Sequence, residues 1–245
     1  MNENYIKAAA LITSAKSVVA FTGAGVSVES GIPPFRGPEG IWNRYDPQCL
    51  ELDYFYAQPL PAWKVIKEIF YDFFGKAEPN KAHEVLARME GEGLLSSLVT
   101  QNIDNLHQSA GSREVYEFHG NSQKLVCTKC GKVYDPCDVN LNKLPPKCND
   151  DGALLKPDFV FFGEGIPEQA YSKSLKAARE ADVMLIVGTT GEVMPASMIP
   201  MEAKRNGATI IEVNLEPSSF TNQITDIFLQ GKAGEVFASL EKMIF

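Results

Sequence analysis

Four short apolar runs, at 17–21, 98–100, 182–187 and 209–213, each break on a polar or glycine-rich turn. No other feature constrains the fold of this chain as strongly. None of the runs alternates polar with apolar residues, as expected for strands buried on both faces. Helix-period patterns at 5–14, 81–90, 168–179, 195–205 and 233–243 lie between and around them. Strand alternating with helix predicts a doubly wound α/β fold on a Rossmann-like parallel sheet. Ligands of such folds sit beyond the carboxyl ends of the strands. Those ends read TGAG, TQNID, GTTGE and NLEP here, all polar. Ordinary strand-to-helix loops explain any one of them, and less easily all four.

The first end opens like a dinucleotide loop. Gly23 and Gly25 let the backbone approach a pyrophosphate, which the next helix N-terminus favours. The third glycine of a G-x-G-x-x-G pattern would fall at Val28, and Gly31, Pro33 and Pro34 cut the helix short. A hydride-transfer enzyme needs that helix and an acid on the following strand, so it fits poorly. A mobile loop is expected instead. Two stretches interrupt the alternation. Residues 38–80 are aromatic and proline-punctuated, as in a small helical module, and residues 122–156 carry clustered cysteines. The expected organisation is a Rossmann-like domain from 1–37, 81–121 and 157–245. The helical module and a zinc-ribbon-like module would form a small second domain.

Composition narrows the partners. A net charge of -8 argues against direct nucleic-acid binding, which needs a basic surface. It is compatible with basic protein segments. No apolar run approaches the ~20 residues of a membrane span, and the N-terminus has no signal-peptide pattern. A cytoplasmic protein with no membrane partner is expected. The cysteines are Cys49, Cys127, Cys130, Cys137 and Cys148. Four crowd into one segment, which favours a metal site over disulfides. Cys127-x-x-Cys130 is followed by Cys148, but the position completing a second C-x-x-C holds Asp151. Three outcomes compete: Asp151 supplies an oxygen ligand, Cys137 supplies a fourth thiolate, or the site binds metal weakly or not at all.

The order of five blocks carries the functional reading: GAGVSVESGIPPFRG at 23–37, TQNIDNLHQSAGS at 100–112, EFHGN at 117–121, VFFGE at 160–164 and GTTGEVMPA at 188–196. From about residue 20 to residue 235 the chain resembles the sirtuin family of NAD-dependent protein deacylases, of the prokaryotic deacetylase type. The resemblance implies removal of an acetyl group from a protein lysine. NAD is consumed as co-substrate, giving nicotinamide and 2′-O-acetyl-ADP-ribose, and a structural Zn2+ lies away from the chemistry. The partner would be an acetylated-lysine protein or peptide.

The same resemblance assigns roles. His119 would be the catalytic base on a ribose hydroxyl, a task suited to a group titrating near ~6.5. Asn102 would orient the ribose or a water. Asp104 would hold the nicotinamide carboxamide, with Gln101 and Ile103 beside it; helix capping is the plainer use of an Asn or Asp there. Gly23, Ala24, Gly25, Ser27, Phe35 and Arg36 match the first NAD block. In it Phe35 would shield the reactive carbon and Arg36 would pair with a phosphate. Gly188, Thr189 and Thr190 would meet ribose or phosphates, Asn214 and Glu216 the adenosine, and Lys232 and Ala233 the adenine side. Val160, Phe161, Phe162, Gly163 and Glu164 resemble the acyl-lysine tunnel, with the substrate backbone pairing between them and Val193.

Three departures stand out. Pro34 replaces the usual aspartate, and Gly191 and Glu192 replace apolar residues on the substrate side, where Glu192 would favour basic flanking residues. The Tyr-x-x-Arg pair of desuccinylating members is missing from AWKVIKEIFYDFF, so a neutral acyl group is expected, although Lys64 or Lys67 could receive a carboxylate. The rival readings are a mono-ADP-ribosyltransferase and a catalytically silent NAD- or peptide-binding module.

Overall fold

The computed structural model describes residues 3–37, 40–73 and 76–245. Its main sheet holds β1 (Val18–Thr22), β2 (Ser97–Thr100), β3 (Val115–Glu117), β7 (Val183–Val187), β8 (Thr209–Asn214) and β9 (Ile227–Gln230). All pairs in this sheet are parallel, in the order β3-β2-β1-β7-β8-β9. The chain winds outward on one side of β1, leaves the sheet, and returns beside β1 as β7. The topological switch point therefore lies between the carboxyl ends of β1 and β7, where this class of fold binds ligands.

Both faces of the sheet are covered, which is why its strands read as unbroken apolar runs. Val18 and Ala20 pack toward α1 (Glu3–Ser14), α4 (Lys81–Gly91) and α8 (Ala233–Ile244). Val19 and Phe21 face α6 (Glu168–Glu180) and α7 (Met198–Arg205). On α4, Val85, Leu86 and Met89 follow helical spacing and are fully buried, each contributing about 1.5–3 kcal/mol. Two differences from the sequence reading stand out. The short strand β9 was not anticipated, and α7 starts at Met198 because Val193, Pro195 and Ala196 accept turn hydrogen bonds from Ser197, Met198 and Ile199.

The two interruptions share one separate core. The first supplies α2 (Leu52–Ala57), α3 (Pro59–Ile66) and a π-helical turn, Lys67–Phe73. The second forms an antiparallel sheet of β4 (Gly120–Cys127), β5 (Val133–Tyr134) and β6 (Leu155–Phe159), in the order β5-β4-β6. Phe55, Trp63 and Ile66 from the helices meet Leu125, Leu155 and Phe159 from the sheet. The Trp63 indole donates to the Leu155 carbonyl at 2.9 Å. No helix among the described residues is long and apolar enough to cross a membrane.

Candidate active site

A cavity of about 990 Å³ opens over the switch point, between the main sheet and the second core. Its floor is two strand ends pressed together. Gly23 N donates to Val187 O at 3.0 Å and Gly25 N to Gly188 O at 2.8 Å. A Cβ on Gly25 would stand 2.7 Å from Gly188 Cα, and one on Gly23 would stand 2.8 Å from Thr189 Cβ. The glycines thus have a reason that needs no ligand: side chains would force the β1 and β7 loops apart. Beyond them Ala24–Ser30 forms a 3-10 helix that ends on Gly31 in the left-handed region, φ 86°. No long helix follows, as the prolines require. Pro34 O accepts from Ile41 N at 2.9 Å and Phe35 O from Trp42 N at 3.2 Å, tying this loop to the second core.

The end of β2 supplies the most polar wall. Asn102 Nδ2 donates to Gly23 O at 3.2 Å and to Ser27 Oγ at 3.1 Å, and Ser27 Oγ donates to Asp104 Oδ2 at 2.7 Å. Burial raises the Asp104 carboxyl above its ordinary value, opposed by the Leu106 amide and the Ser27 hydroxyl. Ser27 and Asp104 do not line the cavity; they sit behind Asn102 and hold it. Every other residue expected to touch cofactor or substrate does line it, from Ala24, Phe35, Arg36, Gln101, Ile103 and Thr190 to Glu216, Lys232 and Ala233.

His119 follows β3 and faces the same space. Its Nδ1 lies 3.1 Å from the Gln101 carbonyl. A carbonyl can only accept, so Nδ1 carries the hydrogen and Nε2 keeps a bare lone pair. Burial lowers its pKa from 6.5, countered in part by the Gln101 bond, so the ring is a neutral base at pH 7. Thr189 joins the two sides of the floor: its Oγ1 accepts from Gln101 Nε2 at 3.1 Å and its carbonyl from Asn214 Nδ2 at 3.0 Å.

The segment expected to form the acyl-lysine tunnel is a bridge and turn, because β6 ends at Phe159. Val160 N donates to His119 O at 2.8 Å, while Phe162 exchanges backbone bonds with Leu50 and Leu52. Phe161 stacks on Phe159 at 5.1 Å. Glu164 accepts from Phe161 N at 2.7 Å and pairs with Lys156 at 3.0 Å. These contacts fix one wall of the cavity, which Val193 and Met194 also line. The cavity also takes Leu215 and Pro217, which belong to the NLEP strand end, and Ser218 and Gly231, to which the sequence alone assigns no role. The last two are present because Glu212 and β9 bring their loops inward, a long-range effect that local sequence does not record.

The cysteine cluster lies in the small sheet. Ligand atoms of Cys127, Cys130, Cys148 and Asp151 all fall within 4.8 Å of one another. Three thiols and a carboxylate are a zinc-type donor set, so these residues fit the metal. Amides of Lys129 and Cys130 point at Cys127 Sγ, each at 3.4 Å, and the Tyr134 hydroxyl lies 3.1 Å from Cys148 Sγ. Cys137 is not the fourth ligand. It is exposed and lies outside the cluster, in a 3-10 turn capped by Asp135.

Fold and cavity together define a doubly wound dinucleotide-site protein whose crevice is roofed by a small metal-site module. The chain belongs to the Sir2 family, whose model matches residues 23–195. It is 44% identical over 234 residues to NAD-dependent protein deacylase 2 of Pyrobaculum aerophilum, covering 94% of this chain and 92% of that protein. A solved Sir2 homologue, a point mutant in complex with ADP-ribose, superposes with a TM-score of 0.92 at 40% identity, covering 100% of this chain and 96% of that one. A second, a Sir2 point mutant with a deacetylated p53 peptide and 3′-O-acetyl ADP-ribose, gives 0.91 at 35% identity over 96% of each chain.

Proposed function

We propose that this protein is an NAD-dependent protein-lysine deacetylase. The observation that carries the reading is His119: a half-buried, neutral imidazole with its Nδ1 hydrogen spent on Gln101 O, lining one cavity with Asn102 and the glycine floor. NAD enters as a substrate. Its pyrophosphate lies over Gly23, Ala24 and Gly25, with Arg36 available as a phosphate partner. Gly188, Thr189 and Thr190 meet ribose or phosphates. Asn214, Glu216, Lys232 and Ala233 take the adenosine end. Phe35 closes the reactive carbon off from water. Asn102 orients the ribose or a water, Asp104 supports it through Ser27, and Gln101 and Ile103 complete that wall.

The acyl-lysine enters between Val160–Glu164 and Val193. An apolar channel suits a neutral acyl-lysine and excludes a free ammonium, because an unpaired buried charge is costly. Nicotinamide leaves as the acetyl oxygen bonds to the ribose carbon; His119 Nε2 then takes the proton of the neighbouring ribose hydroxyl, whose oxygen attacks the acetyl carbon, and water completes the release of the lysine amine and acetylated ADP-ribose. Cys127, Cys130, Cys148 and Asp151 would hold zinc, whose contribution is to cross-link the small sheet. We assign residues 38–80 and 122–156 to a smaller domain and the rest of the chain to the Rossmann-like one; the separate core shared by helices α2 and α3 and the small sheet supports this division. Free cysteines and the lack of a membrane-crossing helix among the described residues support a cytoplasmic location.

The test is an acetyl-lysine peptide incubated with the protein and NAD, followed by mass spectrometry. Loss of acetyl, release of nicotinamide and appearance of acetylated ADP-ribose, all dependent on both substrates, are expected. A peptide that stays acetylated with folded protein and excess NAD overturns the reading. Transfer of label from NAD onto protein would point to the ADP-ribosyltransferase alternative.

A further inference from the structure

One lysine beside the acyl-lysine entrance has no part in the chemistry above, and its place in the small sheet does not explain it. Along β6 the side chains alternate. Leu155, Pro157 and Phe159 are buried, and Asp158 is exposed. Lys156 shares the Asp158 side of the strand, where solvent is expected. Its side chain is nevertheless only 12% exposed. An ammonium drawn that far from water needs partners, because an unpaired buried charge is costly.

Lys156 finds its partners at the two ends of one segment. Nζ donates to Pro157 O at 2.9 Å and to Phe159 O at 2.8 Å, the carbonyls at the end of β6. It also pairs with Glu164 Oε2 at 3.0 Å and stands 4.4 Å from the centroid of the Phe161 ring. The same Glu164 oxygen accepts from Phe161 N at 2.7 Å, while Glu164 N donates to Phe161 O at 2.9 Å. Between them Gly163 takes φ 93°, in the left-handed region. One carboxylate therefore closes the turn, and one ammonium holds that carboxylate. Burial lowers the Lys156 pKa, opposed by the Glu164 charge. β6 stops at Phe159, so the turn beyond it relies on this clamp and on the bonds of Phe162 to Leu50 and Leu52.

We propose that Lys156 is a positioning residue, which ties the end of β6 to Glu164 and so fixes the 160–164 turn at the acyl-lysine entrance. It acts through Glu164, which lines the cavity, whereas Lys156 does not. Its effect on peptide use rests on the deacetylase reading; its hold on the turn does not.

The direct test is amide hydrogen exchange, read by NMR on the full chain, for the wild type and Lys156→Met. Methionine keeps much of the apolar stem over Phe161 but brings no charge and no donor. The Phe161 and Glu164 amides should exchange about tenfold faster, while amides of β1 and β7 keep their rates. An unchanged turn, or equal acceleration everywhere, overturns the clamp. In steady-state kinetics the variant's KM for an acetyl-lysine peptide should rise about tenfold with KM for NAD unchanged, since small misplacements of a positioning wall are costly. A merely destabilised chain would lose active molecules instead, lowering kcat and leaving both KM values alone; that result overturns the positioning role. Glu164→Gln, at the more exposed end of the pair, keeps an acceptor for the Phe161 amide without the charge. It reads the same link even where Lys156→Met does not fold. Its peptide KM should rise severalfold, and an unchanged value would overturn the proposal. A wild-type chain that leaves the peptide acetylated, while Lys156→Met still loosens the turn, would refute the deacetylase reading alone.

Discussion

Glu212→Gln probes how the adenosine wall is held. Glu212 is 0% exposed in the middle of β8, yet no cation faces it among its bonded partners. Its charge is met by four neutral donors. Asn214 Nδ2 lies at 2.9 Å, Ser218 Oγ at 2.5 Å, Thr221 Oγ1 at 2.9 Å from one oxygen, and Thr225 Oγ1 at 2.6 Å. Three of these donors sit on the 215–225 loop that walls the cavity. A hydrogen bond to a charged group is worth about 1.5–3 kcal/mol and a neutral one about 0.5–1.5. Replacing the carboxylate by an amide therefore loses about 1 kcal/mol at each donor. Cheaper burial of a neutral group returns part of this, leaving a destabilisation of about 2–4 kcal/mol. The amide oxygen must stay toward Asn214, whose NH2 cannot accept, so its own NH2 faces the two threonine hydroxyls and loosens the loop there. Urea unfolding should show a midpoint lower by about 1–2 M, taking a slope of ~2 kcal/mol/M. Steady-state kinetics should show a raised KM for NAD with peptide KM unchanged. An unchanged midpoint and NAD KM would refute the claim that Glu212 organises this wall.

Four further outcomes follow from the structure. His119→Ala should lower turnover by about 10²–10⁴-fold while NAD binding stays measurable by calorimetry; unchanged turnover removes its role as base. Acid should destabilise the fold before the carboxylates titrate. His83 is held near 4 against 6.5, so the unfolded chain binds the extra proton first. Stability then falls as pH drops from about 6.5 toward 4, at about 1.4 kcal/mol per unit for each such histidine; denaturant midpoints that are flat over this window contradict the buried neutral rings. Asp151→Cys should hold zinc more tightly than the natural chain against a chromophoric chelator, because a fourth thiolate is a softer and stronger donor than a carboxylate. Chelator stripping of the natural chain should change Trp63 fluorescence, since its indole bonds β6 beside the cluster. Equal metal retention by both chains would exclude Asp151 as a ligand.

The sequence by itself determined the four central strands of the sheet, the strand-end loops and the family of blocks that lie on them. Apolar runs without alternation can only be buried on both faces, and the glycines and prolines at 23–37 leave the backbone few conformations. These are local properties, so they can be read locally. His119, Asn102 and the FFGE turn were legible for the same reason, since each lies within a contiguous block.

Tertiary structure decided what depends on distant partners. Asp151 rather than Cys137 faces the three thiols because β4 and β6 pair and carry residues 127–130 and 148–151 to one point. Ser27 and Asp104 fall behind Asn102 because the β1 and β2 loops close on each other. Ser218 and Gly231 join the wall through Glu212 and β9, which no nearby pattern marks. His83 and His107 stand side by side because the cap of α4 meets the end of β1, where Asn80 bonds the first and Thr22 the second. Contact between distant segments belongs to the fold and not to a residue, so no reading of one strand, however close, could have assigned it.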